Sequence, residues 1–265
     1  MMGMVGMMKI CWLYNVINRH AFSGINIMKK KRVLKIIRRY YNRLDKKSRQ
    51  MSPGYAPKVI HQFRTKYKQL KAFLHMVHVP GIPGKLKDFY HQLGILRDLQ
   101  LQEQYTRNDA PHLPSYRKII HKQAEQSKSQ LADILVKKPV KKARKKTLIA
   151  VKSGFSHKRY QRYLESQTAA VQEILQPVSY SDADLHTIRK LFKELSNNEQ
   201  LKKSPLQDQL GAFQDKRNAL RLFRQYHPAR MSKKERVYLE KKEKALVAEK
   251  KTMKAQLIRE LKSIL

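Results

Sequence analysis

Glycine and proline are scarce in this chain of 265 residues, at nine and ten, and there is one cysteine, Cys11. With few breakers and abundant Leu, Lys, Gln, Arg and Ala, the composition favours helix almost throughout and points to an all-α protein. One cysteine excludes an internal disulfide framework and a cysteine-based zinc site, so a reducing, cytoplasmic setting is the natural expectation. Acids are also few: 20 Asp and Glu stand against 58 Lys and Arg, a formal net charge of +38 and a pI near 10.4. Such an excess repels itself in the folded state and is normally offset by a polyanion: nucleic acid, an anionic membrane surface or another phosphate polymer. At 41% hydrophobic residues the chain still buries a core, which sets it apart from a disordered basic tail.

Long apolar runs are missing too. The stretch Met1 to Ile17 is interrupted by Lys9, lacks a leading basic region and a small-residue cleavage site, and is too short and mixed for a membrane span. No integral membrane span is expected. Residues 1–27 read as an N-terminal extension, unstructured or misassigned, with the native start at or near Met28 and membrane attachment the lesser alternative. The strong helical pattern opens there, in MKKKRVLKIIRRYYNRL.

Apolar periodicity and breakers divide the remainder into successive helices. The first carries Val33, Ile37 and Leu44 and ends at Ser52-Pro53-Gly54. The second stops before Val79-Pro80-Gly81, the third runs from about 85 to 107, and the fourth from about 115 to 136. The basic run KKPVKKARKK, Lys137 to Lys146, is either a flexible polyanion-seeking linker or the solvated start of the next helix. A long helical region over about 142–175, with Gly154 a break, is followed by helices over about 182–197, 205–226 and 232–265. The reading is four helices followed by four.

On the second helix, HQFRTKYKQLK places His61, Arg64, Lys68 and Lys71 within an arc of roughly 80°, beside an apolar arc of Ile60, Phe63, Tyr67, Leu70 and Leu74. A single basic edge is usually a solvated surface. This one recurs. HQFRTKYKQL (61–70) and HTIRKLFKEL (186–195) share HxxRxxxKxL, and QLGILRD (92–98) and QLGAFQD (209–215) share QLGxxxD, in the second and third helices of each half. The repeat units are 28–136 and 137–265.

Each shared position has a physical reading. Gly94 and Gly211 lie inside helices, where glycine costs about 1 kcal/mol against alanine, so both mark close helix approach. Asp98 and Asp215 either hydrogen-bond a guanidinium or imidazole on the motif helix or form ordinary intra-bundle ion pairs. His61 and His186 are either satisfied core histidines or ligand-facing groups. Arg64, Lys68, Arg189 and Lys193 are the first candidates for anion contact, with Lys71, Arg97 and Lys190 beside them.

A duplicated helical unit with these two motifs resembles the CHAD domain, the conserved histidine α-helical domain, over about 28–265. The resemblance implies two four-helix bundles related by a pseudo-twofold axis, with a basic channel that binds inorganic polyphosphate, and association with polyphosphate granules. Where the family usually carries a further cation after the motif lysine, this chain has Gln69 and Glu194, and Gln214 stands where the first copy has Arg97. These differences suggest a second half that lines the channel less strongly, with Lys190, Lys216 and Arg217 compensating.

Competing classes fit less well. Non-specific nucleic-acid binding would suit the charge, but helix-turn-helix, zinc-finger and aromatic stacking signatures are missing, and Phe63, Tyr67 and Phe192 fall on the apolar side. Catalysis is not expected. GIPGKLK, Gly81 to Lys87, lacks P-loop spacing and its Ser/Thr, His75 and His78 make only a weak metal signal, and no cofactor or metal site is expected.

Overall fold

The computed structural model describes residues 29–52, 54–174, 179–197, 205–225 and 231–264. The extension 1–27 and Cys11 lie outside the described residues, as does Pro53. Among the described residues the fold is all-α, without a strand.

Helix α1, Lys30–Arg49, buries Val33, Ile37, Tyr41 and Leu44, an i, i+4 stripe that leaves the cations outside. Gly54 and Tyr55 both take positive φ, 94° and 52°, to turn the chain into α2, Pro57–Met76, whose Pro57 sits in the first turn where a missing N–H costs nothing. Helix α3, Gly84–Tyr105, leads through a 3-10 turn, Arg107–His112, into α4, Pro114–Val136. Lys138, in the left-handed region at φ 49°, starts α5, Pro139–Gly154. The basic run is therefore the start of a helix: Val140, Ala143, Thr147 and Val151 give it a buried stripe, and the lysines between them face outward. Gly154 closes α5, and α6 follows as His157–Ile174.

Helices α7, Asp182–Asn197, α8, Pro205–Gln225, and α9, Lys233–Ile264, complete the fold. Reciprocal capping boxes start two of them. Ser181 N–H donates to Asp184 and Asp184 N–H to the Ser181 hydroxyl, while Ser232 and Glu235 do the same at α9. Buried Glu235 also accepts the N–H groups of Ser115 and Tyr116, capping α4 as well.

Packing is organised around α2 and α3. Helix α2 touches α1, α3, α6 and α7, and α3 touches α2, α4, α5 and α8. Helix α5 packs against α1 and α3, anchored by a buried 2.6 Å hydrogen bond between the Tyr41 and Thr147 hydroxyls. One apolar cluster holds the buried residues of α1–α5 with Tyr163, Phe223, Met231 and Leu239; a smaller one joins α7, α8 and the end of α9 through Ile188, Phe192, Leu210, Phe213, Leu257 and Leu261. Each HxxRxxxKxL helix thus lies against the other, α2 on α7, and each QLGxxxD helix against the other, α3 on α8.

Candidate functional site

The buried sides of α2 and α7 fix where their basic edges point. Ile60, Phe63, Tyr67 and Leu70 on α2, and Leu185, Ile188 and Phe192 on α7, go into the core. The motif cations lie beside these stripes, where the two helices meet. Phe63, Tyr67 and Phe192 are core residues with no more than 4% exposure, so the cationic surface has no stacking platform built from them.

Arg64 is the most constrained of the cations. Its Nη1 donates to the Tyr90 carbonyl at 2.8 Å, and its Cζ lies 4.3 Å from the Tyr90 ring centroid. Tyr90 in turn stacks on Tyr67 at 4.0 Å, so the guanidinium rests on a two-ring pile braced between α2 and α3. Gly94 leaves room for it: a Cβ there would stand 2.7 Å from Nη1. The close approach expected at Gly94 is therefore present, but to the motif arginine and not to a helix backbone. At Gly211 an added Cβ would meet nothing within 4 Å, so that glycine marks no such approach.

The charges from both halves act on one another. Desolvation by the packed helices foremost, then the charges of Arg64, Lys193 and Arg189, lowers the Lys68 amine to about 8, although the residue as a whole is exposed. His61 is lowered by burial, then by Arg97, Lys193 and Lys68, with Asp215 opposing. Lys193 is lowered by burial and by Arg189, and burial works against the charged forms of Arg189 and Arg97, with Asp215 favouring both. Six cationic groups, His61, Arg64, Lys68, Arg97, Arg189 and Lys193, thus share one neighbourhood with Asp215. Lys71 stands exposed one turn further along α2, outside this group.

His186 lies beside it, linked through Arg189. Its Nδ1 is 2.7 Å from Gln214 Oε1, which also faces Arg217 Nη1 at 3.4 Å, while Gln214 Nε2 donates to Asn218 Oδ1. Arginine only donates, so the Gln214 atom facing it is the oxygen and His186 donates through Nδ1. Its Nε2 is then the nitrogen open to a further partner. Burial lowers the His186 pKa, the Gln214 bond opposes that, and Lys190, Arg217 and Arg189 lower it further. Gln214, read from the sequence as a lost cation, positions this imidazole.

The two acids differ. Asp98 accepts from Arg221 Nη2 at 2.8 Å, a bridge from α3 to α8 and not to the motif helix. Asp215 is exposed and acts electrostatically on His61, Arg97, Arg189 and Lys193 together. Glu194, beside the motif lysine, takes hydrogen bonds from His75 at 2.9 Å and from Tyr163, tying α7 to the end of α2 and to α6. Tyr90 and Arg221 carried no motif signal, because their roles come from partners in other helices.

Clustered cations with accessible ends are suited to anionic oxygens, and the cluster holds no carboxylate set for a metal. Among the described residues no group of three or more His, Cys, Asp or Glu could hold a metal ion. No helix among them is long and apolar enough to cross a membrane.

The CHAD domain family matches residues 35–224, a span that includes both motif pairs, and the chain belongs to that family. The crystal structure of the CHAD domain from the plant Ricinus communis shares the fold, with a TM-score of 0.67 over 89% of this chain and 91% of that one, at 17% identity. A search of curated proteins finds no match. Membership places the chain among non-catalytic modules, in a family linked to polyphosphate regulation.

Proposed function

We propose that the chain binds inorganic polyphosphate, without processing it, along a basic channel lined by the facing edges of α2 and α7. The observation that carries this reading is the mutual influence of Arg64, Lys68, Arg189 and Lys193, cations of two motif copies held at one junction. Holding them together is unfavourable in the free protein, and a chain with a charge on every phosphate offsets it. A polymer without bases needs a lined groove and nothing to stack on, which suits accessible cations beside buried aromatics.

The same reading takes 28–136 and 137–265 as copies related by a pseudo-twofold axis, each with a four-helix bundle, α1–α4 and α6–α9. Elements next to such an axis meet their own counterparts, as α2 meets α7 and α3 meets α8. Helix α5 joins the copies, packed on the first although it opens the second. Placement at polyphosphate granules in the cytoplasm follows from the ligand and is tested with it.

Titration with polyphosphate of defined length, repeated across ionic strengths, tests the proposal. Tight binding that weakens steeply with salt, and is lost in Arg64→Ala/Arg189→Ala with the fold intact, is the expected result. Equal binding by parent and variant would remove it.

A further inference from the structure

A second basic surface lies outside the motif site. Helix α1 carries ten Lys and Arg and α5 carries six, against one acid between them, Asp45, which is paired with Arg49 at 2.6 Å. Exposed positions on α1 follow helical spacing through Lys31, Lys35, Arg38, Asn42 and Lys46, and on α5 through Lys141, Lys145 and Lys152. The stripes join at an exposed hydrogen bond from Arg144 Nη1 to Asn42 Oδ1, 2.9 Å, above the buried Tyr41–Thr147 contact that holds the helices together. They make one rigid surface about 30 Å long and two helices wide.

This surface faces away from the motif edge. Lys66 is the α2 residue on which the Arg43 charge of α1 acts, and at 100° per residue it stands about 180° round α2 from the arc of His61, Arg64 and Lys68. Helix α1 packs on α2 and α5, and the charges acting on the motif cluster come from α2, α3, α7 and α8.

We propose that the α1/α5 surface docks the phosphate backbone of a nucleic-acid duplex, without base readout, while the motif site is free or filled. A broad ridge made by two helices does not enclose a single flexible chain as a groove does, but it meets a wide, stiff polyanion along its length. A membrane surface fits less well. Membrane-lying helices turn an apolar face to the lipid, whereas α1 and α5 bury theirs, and Ile149 is their one exposed large apolar residue among those described. Base reading is not expected, because no aromatic ring is exposed on either stripe.

The test uses the full chain and a labelled 16-base-pair DNA duplex, with defined-length polyphosphate and anionic lipid vesicles as parallel probes. Replacing Lys35, Arg38, Lys141 and Lys145 with Gln should weaken duplex binding at least tenfold and lower the log–log salt slope by about 3 to 4. Polyphosphate binding should change far less. Charge-keeping replacement of the three lysines with Arg should retain duplex binding, which separates lost charge from lost fold. Arg64→Ala/Arg189→Ala should leave the duplex bound. Duplex binding lost with the motif arginines and kept in the Gln variant overturns the inference and leaves the polyphosphate proposal standing. A Gln variant that releases vesicles but still holds the duplex also overturns it. Polyphosphate binding that depends only on α1 and α5 would remove the motif-site proposal and leave this surface in place.

Discussion

The Arg64 guanidinium occupies the space that a side chain on residue 94 would need, so one motif makes room for the other across the α2–α3 contact. In Gly94→Ala the flexible end of Arg64 moves aside and loses the Tyr90 carbonyl, while the helix gains up to about 1 kcal/mol from alanine. The lost hydrogen bond of about 1 kcal/mol offsets that gain, so stability should change little, and polyphosphate affinity should fall several-fold because Arg64 is no longer held in place at the motif edge. Thermal unfolding and ligand titration on the same protein check both. Gly211→Ala, with open space around it, should gain stability without changing affinity.

Asp215 is the acid among the motif cations, and its removal separates orientation from repulsion. Asp215→Asn should lower thermal stability at low salt, with the gap closing near 1 M, where the screening length falls to about 3 Å. Added polyphosphate should close it as well. If Asp215→Asn were as stable as the parent and only bound more tightly, the acid would have no stabilising role. Asp98→Ala acts elsewhere: it removes the pair with Arg221 and loosens α3 from α8 by about 1 kcal/mol or less, since the pair is partly exposed.

The contrast between these acids shows what could be read from the chain alone. The helices were legible because Val33, Ile37, Tyr41 and Leu44, or Leu185, Ile188 and Phe192, repeat at helical spacing, and the motif cations because they recur in two copies. A repeat marks positions without naming partners. Asp98 and Asp215 share a motif and differ in what they meet, because position 221 is an arginine whereas Gln104 occupies the corresponding place in the first half. Gln214 looked like a missing cation until His186 was seen to donate to it. The run from Lys137 to Lys146 was ambiguous because its charges masked Val140 and Ala143, whose burial depends on α1 and α3.

Binding should take up protons in two ranges of pH. Lys68 sits at about 8 in the free protein, and a phosphate chain raises it, so affinity should climb as pH falls from about 9 to 7. The lowered imidazoles of His61 and His186 add a second rise as pH falls below about 6.5. Lys68→Arg should abolish the upper rise while keeping the charge, and His61→Ala/His186→Ala should flatten the lower one. For the unliganded fold the sign reverses. Between about 8 and 10.5 the unfolded chain holds the Lys68 proton that the folded one releases, so stability should increase with pH across that window in the parent relative to Lys68→Gln. A pH profile shared by parent and variants would remove these groups from the binding edge.

The most direct measurement is the stoichiometry of binding by titration calorimetry with a short polyphosphate of defined length, on the parent and on two half-site variants. One variant carries Arg64→Ala and Lys68→Ala, the other Arg189→Ala and Lys193→Ala. If the two edges form one channel, the parent binds a single chain there, and each variant weakens that same event by at least tenfold. Two independent binding events, each lost only with its own half, would contradict the shared site.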